Sequence, residues 1–363
     1  MTASFDDFKM TLPQEQKRIL DKILEEQTRK KRRELLEHIE RDQKHLEIVN
    51  FCANFFLPGQ VLPDKTGYFL VLVDPLYSLG VKNFDLGIFR RENASLILTE
   101  CKSSISNPKE LIADLNEAIR ITNERKDKLE GVLGNKIADP IEFALCLPAV
   151  DAQDVCDEIL RTQTPICVWA ADLWNRKMKL FTGQEDVKIA IRSGRVHRDG
   201  NLSSLLGRGV KSTLRAIRSI PILPSSHMCT LLVHVSALIY LGTKAQRTYG
   251  EFQYSDVFSI LSREMRHLTG LSDNYLEDLA TNILETGLRK GIFKDLTEDV
   301  LELQRKIFQI SGRRAKAEDV RRNVEETYVN HNALEKAKLE SLVIYKKETG
   351  ITTINSYIDS DQK

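Results

Sequence analysis

Residues 83–104 read NFDLGIFRRENASLILTECKSS, and this stretch limits the fold more than any other part of the chain. Two short apolar runs, FDLGIF and SLILTE, have the length and composition of strands and flank a polar RREN break. Charged residues nevertheless stand at their ends, namely Asp85, Glu100 and Lys102. A charge inside a half-buried sheet is costly unless it is paired, hydrated or bound to a metal. The stretch therefore predicts a hairpin in which these three charges meet partners.

The predicted hairpin has residues 92–93 at its tip. This pairing places Phe89 opposite Leu96 and Asp85 directly opposite Glu100. The Cβ atoms of directly opposed residues lie about 4.5–5.5 Å apart. A slip of one residue would move Asp85 to the other face of the sheet.

Side chains alternate along a strand, so Glu100 and Lys102 share one face and Cys101 points to the other. Two carboxylates so close repel each other unless a cation lies between them. Mg²⁺ commonly takes one or two carboxylates together with water and phosphate. A neighbouring lysine can then act on a metal-activated water, which predicts phosphodiester hydrolysis. In the alternative interpretation, Asp85 caps a strand edge while Glu100 and Lys102 form a surface ion pair worth about 0–1 kcal/mol.

Asp85, fourteen further residues and then Glu100-Cys101-Lys102 resemble the D…(D/E)xK signature of the restriction-endonuclease-like, PD-(D/E)xK nuclease superfamily. The flanking segments follow a similar order. They are a charged helix ending in HLEIVNFCANFF, a strand in GYFLVLVDPLY, the two hairpin strands, a helix in NPKELIADLNEAIRITNERKDKLEGVL, a strand IEFALCLP, a helix DAQDVCDEILRT and a strand PICVWAAD. This succession resembles the αβββαβ core of the superfamily and covers residues 40–186.

The resemblance implies a catalytic set and a Mg²⁺ site. The catalytic residues would be Asp85, Glu100 and Lys102, and the metal ligands would be Asp85, Glu100 and the backbone carbonyl of Cys101. A glutamate from the first helix often joins such sites, with Glu47 as the first candidate and Glu40 as the second. One position departs from the family pattern, because Phe84 stands where a proline often precedes the aspartate.

Composition describes an ordinary globular protein, with 363 residues, 42% hydrophobic and 29% charged. This length allows two domains or more. No apolar run reaches the roughly 18 residues of a membrane span, and the first residues lack the features of a secretory signal. We therefore expect a cytoplasmic protein without a membrane partner. The six cysteines contain no CxxC pair, so we expect small buried thiols in a reducing compartment rather than a zinc site.

A nucleic-acid partner must be argued from the distribution of charge, because the net charge is only +1. Residues 187–224 form a predicted basic, glycine-containing linker. Its side chains either contact a phosphate backbone or simply face solvent. The candidate phosphate contacts are Arg192, Arg195, Arg208, Lys211 and Arg215. Residues 1–39 predict a charged helical arm, which is either a solvated face or a dimerisation element.

Residues 225–363 predict a mostly helical domain. Helices at 227–245, 254–268 and 273–290, followed by a β-hairpin in GIFKDLTEDVLELQ, resemble a winged-helix module. The third helix is acidic, whereas a recognition helix usually presents Arg, Lys, Asn or Gln to bases. Its acids are Asp273, Glu277, Asp278 and Glu285. This composition argues against base reading by that helix and leaves packing, dimerisation or DNA positioning.

The sequence thus predicts an α/β protein with a nuclease-like core, and a Mg²⁺-dependent endonuclease acting on double-stranded DNA. A type II-like restriction endonuclease is the first interpretation. A repair or junction-resolving nuclease, and a winged-helix DNA-binding protein with an inactive nuclease fold, are the alternatives. Cutting both strands needs two active centres and the chain has one such constellation, so a homodimer with contacts after residue 225 is expected.

Overall fold

The computed structural model describes residues 5–77, 84–182, 193–212, 222–246, 250–269, 272–297, 299–312 and 316–349. They divide into two compact units. The helical unit consists of the described residues in Met1–Glu40, Met228–Asp256 and Thr281–Lys363, and the sheet unit of those in Arg41–His227 and Val257–Ala280.

The protein is of mixed α/β class. The first helices are α1 (Phe5–Thr11), α2 (Gln14–Asn54), α3 (Val61–Thr66), α4 (Pro108–Glu124), α5 (Lys126–Leu133), α6 (Ala152–Thr162) and α7 (Gly200–Arg208). The strands among them are β1 (Phe69–Val73), β2 (Leu86–Arg90), β3 (Ser95–Cys101), β4 (Glu142–Pro148), β5 (Cys167–Asp172), β6 (Lys177–Phe181) and β7 (Val210–Lys211). The later elements are α8 (Met228–Gln246), β8 (Glu251–Gln253), α9 (Tyr254–Thr269), α10 (Asp273–Arg289), β9 (Phe293–Asp295), β10 (Ile307–Ile310) and α11 (Ala317–Thr349).

The sheet unit is built on one sheet in the order β1-β2-β3-β4-β5-β6-β7. The pairs β1–β2 and β2–β3 are antiparallel, β3–β4 and β4–β5 are parallel, and the last two pairs are antiparallel. The interior of β4, FALCL, is buried throughout, as expected of a parallel strand covered on both faces. Residues of α2 pack on one face, and residues of α4 and α6 on the other.

The β2–β3 hairpin has the predicted register. Phe89 pairs with Leu96, which confirms that prediction. The turn differs in length, because a four-residue loop from Arg91 to Ala94 replaces the predicted two-residue tip. Ala94 closes it in the left-handed conformation, with φ 55°. The loop includes one more residue on each side than the predicted tip, so the register of the strands is unchanged.

The segment predicted as a basic linker contributes to the sheet unit over its described part. Helix α7 begins at an N-cap, where the Asp199 carboxylate accepts from the N–H groups of Asn201 and Leu202. Strand β7 then pairs with β6, and Val210 joins the core. Neither β6 nor β7 was predicted from the sequence. The alternation Lys-Met-Lys-Leu of β6 was the available signal, whereas β7 has only two residues and depends on its pairing with the neighbouring strand.

Residues 5–39 pack within the helical unit rather than forming a free arm. The ring of Phe8 meets that of Tyr345 edge-on at 6.2 Å between centroids, and Lys31 forms an ion pair with Glu340. Helix α2 is continuous past residue 40. A domain boundary at 39 therefore falls inside one helix.

The three C-terminal helices lie where the sequence predicted them, as α8, α9 and α10. The predicted hairpin is displaced. Its first strand is β9, but the second is β10 rather than the VLEL run, in which Leu301 is 94% exposed. A third strand, β8, completes a small sheet in the order β8-β10-β9. Residues 257–280 belong to the sheet unit, so a boundary at 225 does not separate the two units. None of the described helices combines the length and hydropathy needed to cross a membrane.

Candidate functional site

Asp85 and Glu100 lie across from each other where β2 begins and β3 ends. The ladder ends at the pair Leu86–Thr99, and the two acids are the next residues beyond it, one on each strand. Both carboxylates are buried, and each accepts an N–H from the opposite strand. The Cys101 N–H donates to Asp85 Oδ2 at 2.6 Å, and the Phe84 N–H donates to Glu100 Oε2. The hairpin backbone itself thus orients both acids.

Lys102 follows the last residue of β3, and its side chain contacts Glu100. Its ammonium donates to Glu100 Oε1, and the side chain remains 33% exposed. Its backbone N–H donates to the carbonyl of Cys146 on β4 at 2.9 Å, which fixes the strand end. Burial lowers the pKa of Lys102, but the negative charge of Glu100 and the hydrogen bond to it outweigh burial, so the pKa is raised. Lys102 is therefore a cation held against the acids.

The charges in this patch are crowded. Burial, and then the negative charge of Asp85, raise the pKa of Glu100, although Lys102 opposes the shift. Two carboxylates buried this close repel each other, and a cation bound between them lowers that repulsion. The oxygen donors suit a hard divalent ion such as Mg²⁺.

His45 on α2 is a site residue that sequence reasoning missed. Its Nε2 lies 2.9 Å from Asp85 Oδ1. Burial disfavours the charged imidazole, but the charge of Asp85 and the hydrogen bond to it raise the pKa of His45 to about 9. A helical stripe at i, i+4 and i+7 runs from His45 through the buried Val49 and Cys52, and this spacing was the available clue.

The glutamates predicted from the first helix do not take this place. Glu47 lies two residues beyond His45, about 200° around the helix, and its side chain is exposed. Glu40 belongs to the helical unit. Asp85 is therefore in contact with a histidine where the family pattern predicted a glutamate.

Asp74 is a third buried acid close to the site. Its backbone N–H donates to the carbonyl of Asp85 at 2.8 Å. Its Oδ2 accepts from the N–H of Ser225 at 3.0 Å and from the hydroxyl at 2.7 Å. Burial and the charge of Asp85 raise the pKa of Asp74 to about 7. Asp74 directly follows the apolar run of β1. A charge at the end of a buried strand needs a partner, so the argument that identified Asp85 and Glu100 also applies to Asp74.

Three cysteine thiols meet in the core between the sheet and α2. Cys101 and Cys146 are paired across β3 and β4, and Cys52 packs on them from α2. Their Sγ atoms lie within 4.8 Å of one another. All six cysteines are buried thiols that form no disulfide, as predicted. Thiols of this kind are ligands for soft metals, whereas the carboxylates of Asp85 and Glu100 suit hard ones.

The described part of the basic segment supplies fewer exposed cations than predicted. Arg195 is buried and donates to Gln163 at 3.2 Å, so it is not available to phosphate. Arg208 and Lys211 are exposed. Arg192 and Arg215 lie outside the described residues.

Comparison with known proteins yields one relative. The chain is similar to an uncharacterized protein of Archaeoglobus fulgidus, with 23% identity over 366 residues that cover 92% of this chain and 93% of the relative. The similarity therefore extends over both units. No family model and no solved structure matches the chain significantly.

Proposed function

We propose that the protein is a Mg²⁺-dependent DNA endonuclease whose active site is formed by Asp85, Glu100 and Lys102. One observation carries the proposal. Two buried carboxylates face each other from adjacent strands, and the lysine two residues beyond the second acid is bonded to it at the strand end. An accidental surface ion pair does not account for both acids being buried.

The residues present fit a divalent ion. An ionised carboxylate has about four acceptor positions, so Asp85 and Glu100 keep lone pairs beyond the hydrogen bonds described above. Strand β3 ends at Cys101, and its carbonyl is the third proposed ligand. When bound, Mg²⁺ supplies a water of lowered pKa and a positive charge for the phosphate oxygens.

The protein's own groups then do three things. The ammonium of Lys102 holds the attacking water or stabilises the negative charge that develops on the phosphate. His45 orients Asp85 through the bond to Oδ1. The backbone N–H groups of Cys101 and Phe84 fix the remaining oxygens, so that both acids are ordered before substrate arrives.

We further propose that the sheet unit is a restriction-endonuclease-like core. The support is the succession α2, α3, β1, β2, β3, α4, α5, β4, α6, β5, together with the position of the two acids just before β2 and near the end of β3. The winged-helix-like assignment of the C-terminal region rests on the element order α8-β8-α9-α10-β9-β10 and on the strand order β8-β10-β9.

The four acids of α10 are exposed, which supports positioning or dimerisation rather than base reading by that helix. The metal-dependent cleavage described next separates the two nuclease interpretations, a type II-like restriction enzyme and a repair or junction nuclease, from a non-catalytic DNA-binding protein.

Purified protein is expected to cleave plasmid DNA with Mg²⁺ or Mn²⁺, and to stop when EDTA removes the ion. Ca²⁺ should support DNA binding without cleavage, because it takes longer and less regular coordination than Mg²⁺. Agarose electrophoresis of supercoiled, nicked and linear forms measures both outcomes. Cleavage that persists in EDTA would contradict the proposed metal site. Binding without cleavage under any ion would favour the non-catalytic alternative.

We also propose a homodimer, with α11 in its interface. Leu339 and Val343 lie one helical turn apart on α11 and are 58% and 50% exposed. Replacing both by aspartate should shift the protein to monomer in sedimentation and convert double-strand cleavage into nicking. Leu301→Asp, at an isolated exposed leucine, is the matched control and should change neither. A wild-type protein that sediments as a monomer on DNA and still linearises plasmid would exclude the dimer.

A further inference from the structure

Trp174 is exposed to an unusual degree for its type. The chain has two tryptophans. Trp169 is fully buried and stacks on Phe56, whereas Trp174 is 94% exposed. Its neighbour Leu173 is 46% exposed. Tryptophan is highly buried on average, so a side chain this exposed is a candidate binding site for another molecule.

The ring is presented by an ordered turn. Trp174 lies in the loop between β5 and β6, which the pair Asp172–Lys177 closes. The Asp172 carboxylate accepts from the N–H of Asn175 at 2.9 Å and from its side-chain amide at 2.7 Å. The carbonyl of Arg176 accepts from the N–H of Ser212 at 3.1 Å, which ties the turn to the residue after β7.

The turn stands at the edge of the sheet that carries the candidate active site. Strands β3, β4 and β5 are parallel neighbours, and Cys101, Cys146 and Trp169 lie level across them. Along the strands, Lys102 is one residue beyond that level and Asp172 is three residues beyond it. The turn therefore projects roughly 7 Å further along the strand direction than Lys102 and lies about 10 Å to the side, two strands away. A duplex whose phosphate reaches Lys102 would extend past Trp174.

The side chains around the ring of Trp174 are mainly basic, which favours an anionic partner. Strands β6 and β7 carry three lysines and no acid in their seven residues. Arg176, Lys179 and Lys211 are exposed. An aromatic ring beside basic side chains matches the way in which proteins hold single-stranded nucleic acid, with bases stacked on rings and phosphates on cations.

We propose that Trp174 is a stacking site for an unpaired nucleobase, so that the preferred substrate is DNA with unpaired bases beside the cleaved bond. The inference rests on the proposed nuclease function and narrows it towards forked, gapped or junction DNA. A base in an intact duplex is already stacked on its neighbours and has little to gain from the ring.

Intrinsic fluorescence tests the site without cleavage. Protein in Ca²⁺ is titrated with a forked oligonucleotide and with a full duplex of the same sequence. The fork should quench wild-type emission, and the duplex should quench it less. Trp174→Phe leaves the buried Trp169 as the fluorophore and should show no such quenching.

Affinity gives the second measurement. Trp174→Ala should bind the fork about tenfold more weakly and the duplex as before, since stacking is lost and phosphate contacts are kept. Trp174→Phe should retain part of the affinity for the fork. Met10→Ala, which removes another exposed apolar side chain, should bind both DNAs like wild type. Equal affinity of Trp174→Ala and wild type for the fork, or absent quenching, would overturn the site.

Plasmid cleavage separates this inference from the proposed function. A protein that cleaves plasmid with Mg²⁺ but shows no quenching keeps the nuclease function and loses the stacking site. A protein that neither cleaves nor binds any DNA loses both.

Discussion

Asp85→Asn and Glu100→Gln are each expected to reduce DNA cleavage by about a hundredfold to a thousandfold, the scale at which single electrostatic groups act in active sites. Each change removes one negative charge and leaves the shape of the side chain. The proposed ion would lose its charged ligand, and the phosphate its activated water. Calorimetric titration with Mn²⁺ should show weaker metal binding in both variants, alongside the loss of cleavage.

Folding should survive these changes. The two acids are buried beside each other, and their like charges disfavour ionisation of Glu100. Removing one charge relieves this repulsion but also takes the anionic partner from His45 or Lys102, so we expect both variants to fold with only a small change in the midpoint of urea unfolding. DNA affinity without metal should also be preserved.

Lys102→Ala separates metal binding from chemistry. The lysine acts on the water or on the developing charge, so cleavage should fall about a hundredfold while Mn²⁺ still binds. Glu92→Gln, at the exposed tip of the same hairpin, is the matched control and should cleave at the wild-type rate. Full cleavage by Asp85→Asn would refute the assignment of the site.

Phe84→Pro is expected to prevent stable folding. This change introduces the proline that often precedes the aspartate in the PD-(D/E)xK superfamily, which the sequence resembles. Phe84 has a φ of 70°, in the left-handed region, whereas proline is held near −65°. Proline would also remove the N–H that donates to Glu100. The buried ring, 5.2 Å from that of Phe143, would be lost as well. Together these losses compare with the whole stability of about 5–15 kcal/mol of a typical domain.

Two smaller changes isolate the backbone contribution. Phe84→Ala should lower the free energy of unfolding by about 3–5 kcal/mol, because it empties a core position. Phe84→Gly should be no worse than Phe84→Ala, and up to about 1 kcal/mol better, since glycine adopts a positive φ without cost.

Phe143 on β4 is the matched position. It lies within a regular strand, where glycine is usually less stable than alanine by about 0.5–1 kcal/mol. Urea unfolding is therefore measured for Phe84→Ala, Phe84→Gly, Phe143→Ala and Phe143→Gly. The glycine variant should be the more stable of the two at position 84 and the less stable at position 143. The same order at both would show that Phe84 does not require the left-handed conformation.

The pairing of Asp85 with Glu100 was predictable from the sequence because it depends on local rules. Side chains alternate with a period of two, and the apolar pattern of both strands allows one register. The four-residue loop did not disturb the prediction, because it is symmetric about the same centre. Most of the order of helices and strands up to β5 was predictable for the same reason, since the longer elements have their own length, periodicity and breakers. The short helix α3 was missed, and one predicted helix is divided into α4 and α5.

Only the tertiary structure decided which other groups surround the acids. His45, Asp74 and Ser225 are far apart in sequence. His45 and Asp74 contact Asp85, and Ser225 contacts Asp74, because α2, the end of β1 and the chain before α8 pack at one end of the sheet. Cys52 reaches Cys101 and Cys146 through the same packing. Strands β6 and β7, and with them the Trp174 turn, exist because a neighbouring strand satisfies their hydrogen bonds. Such contacts depend on the three-dimensional arrangement of whole elements, and no local pattern in the sequence encodes that arrangement.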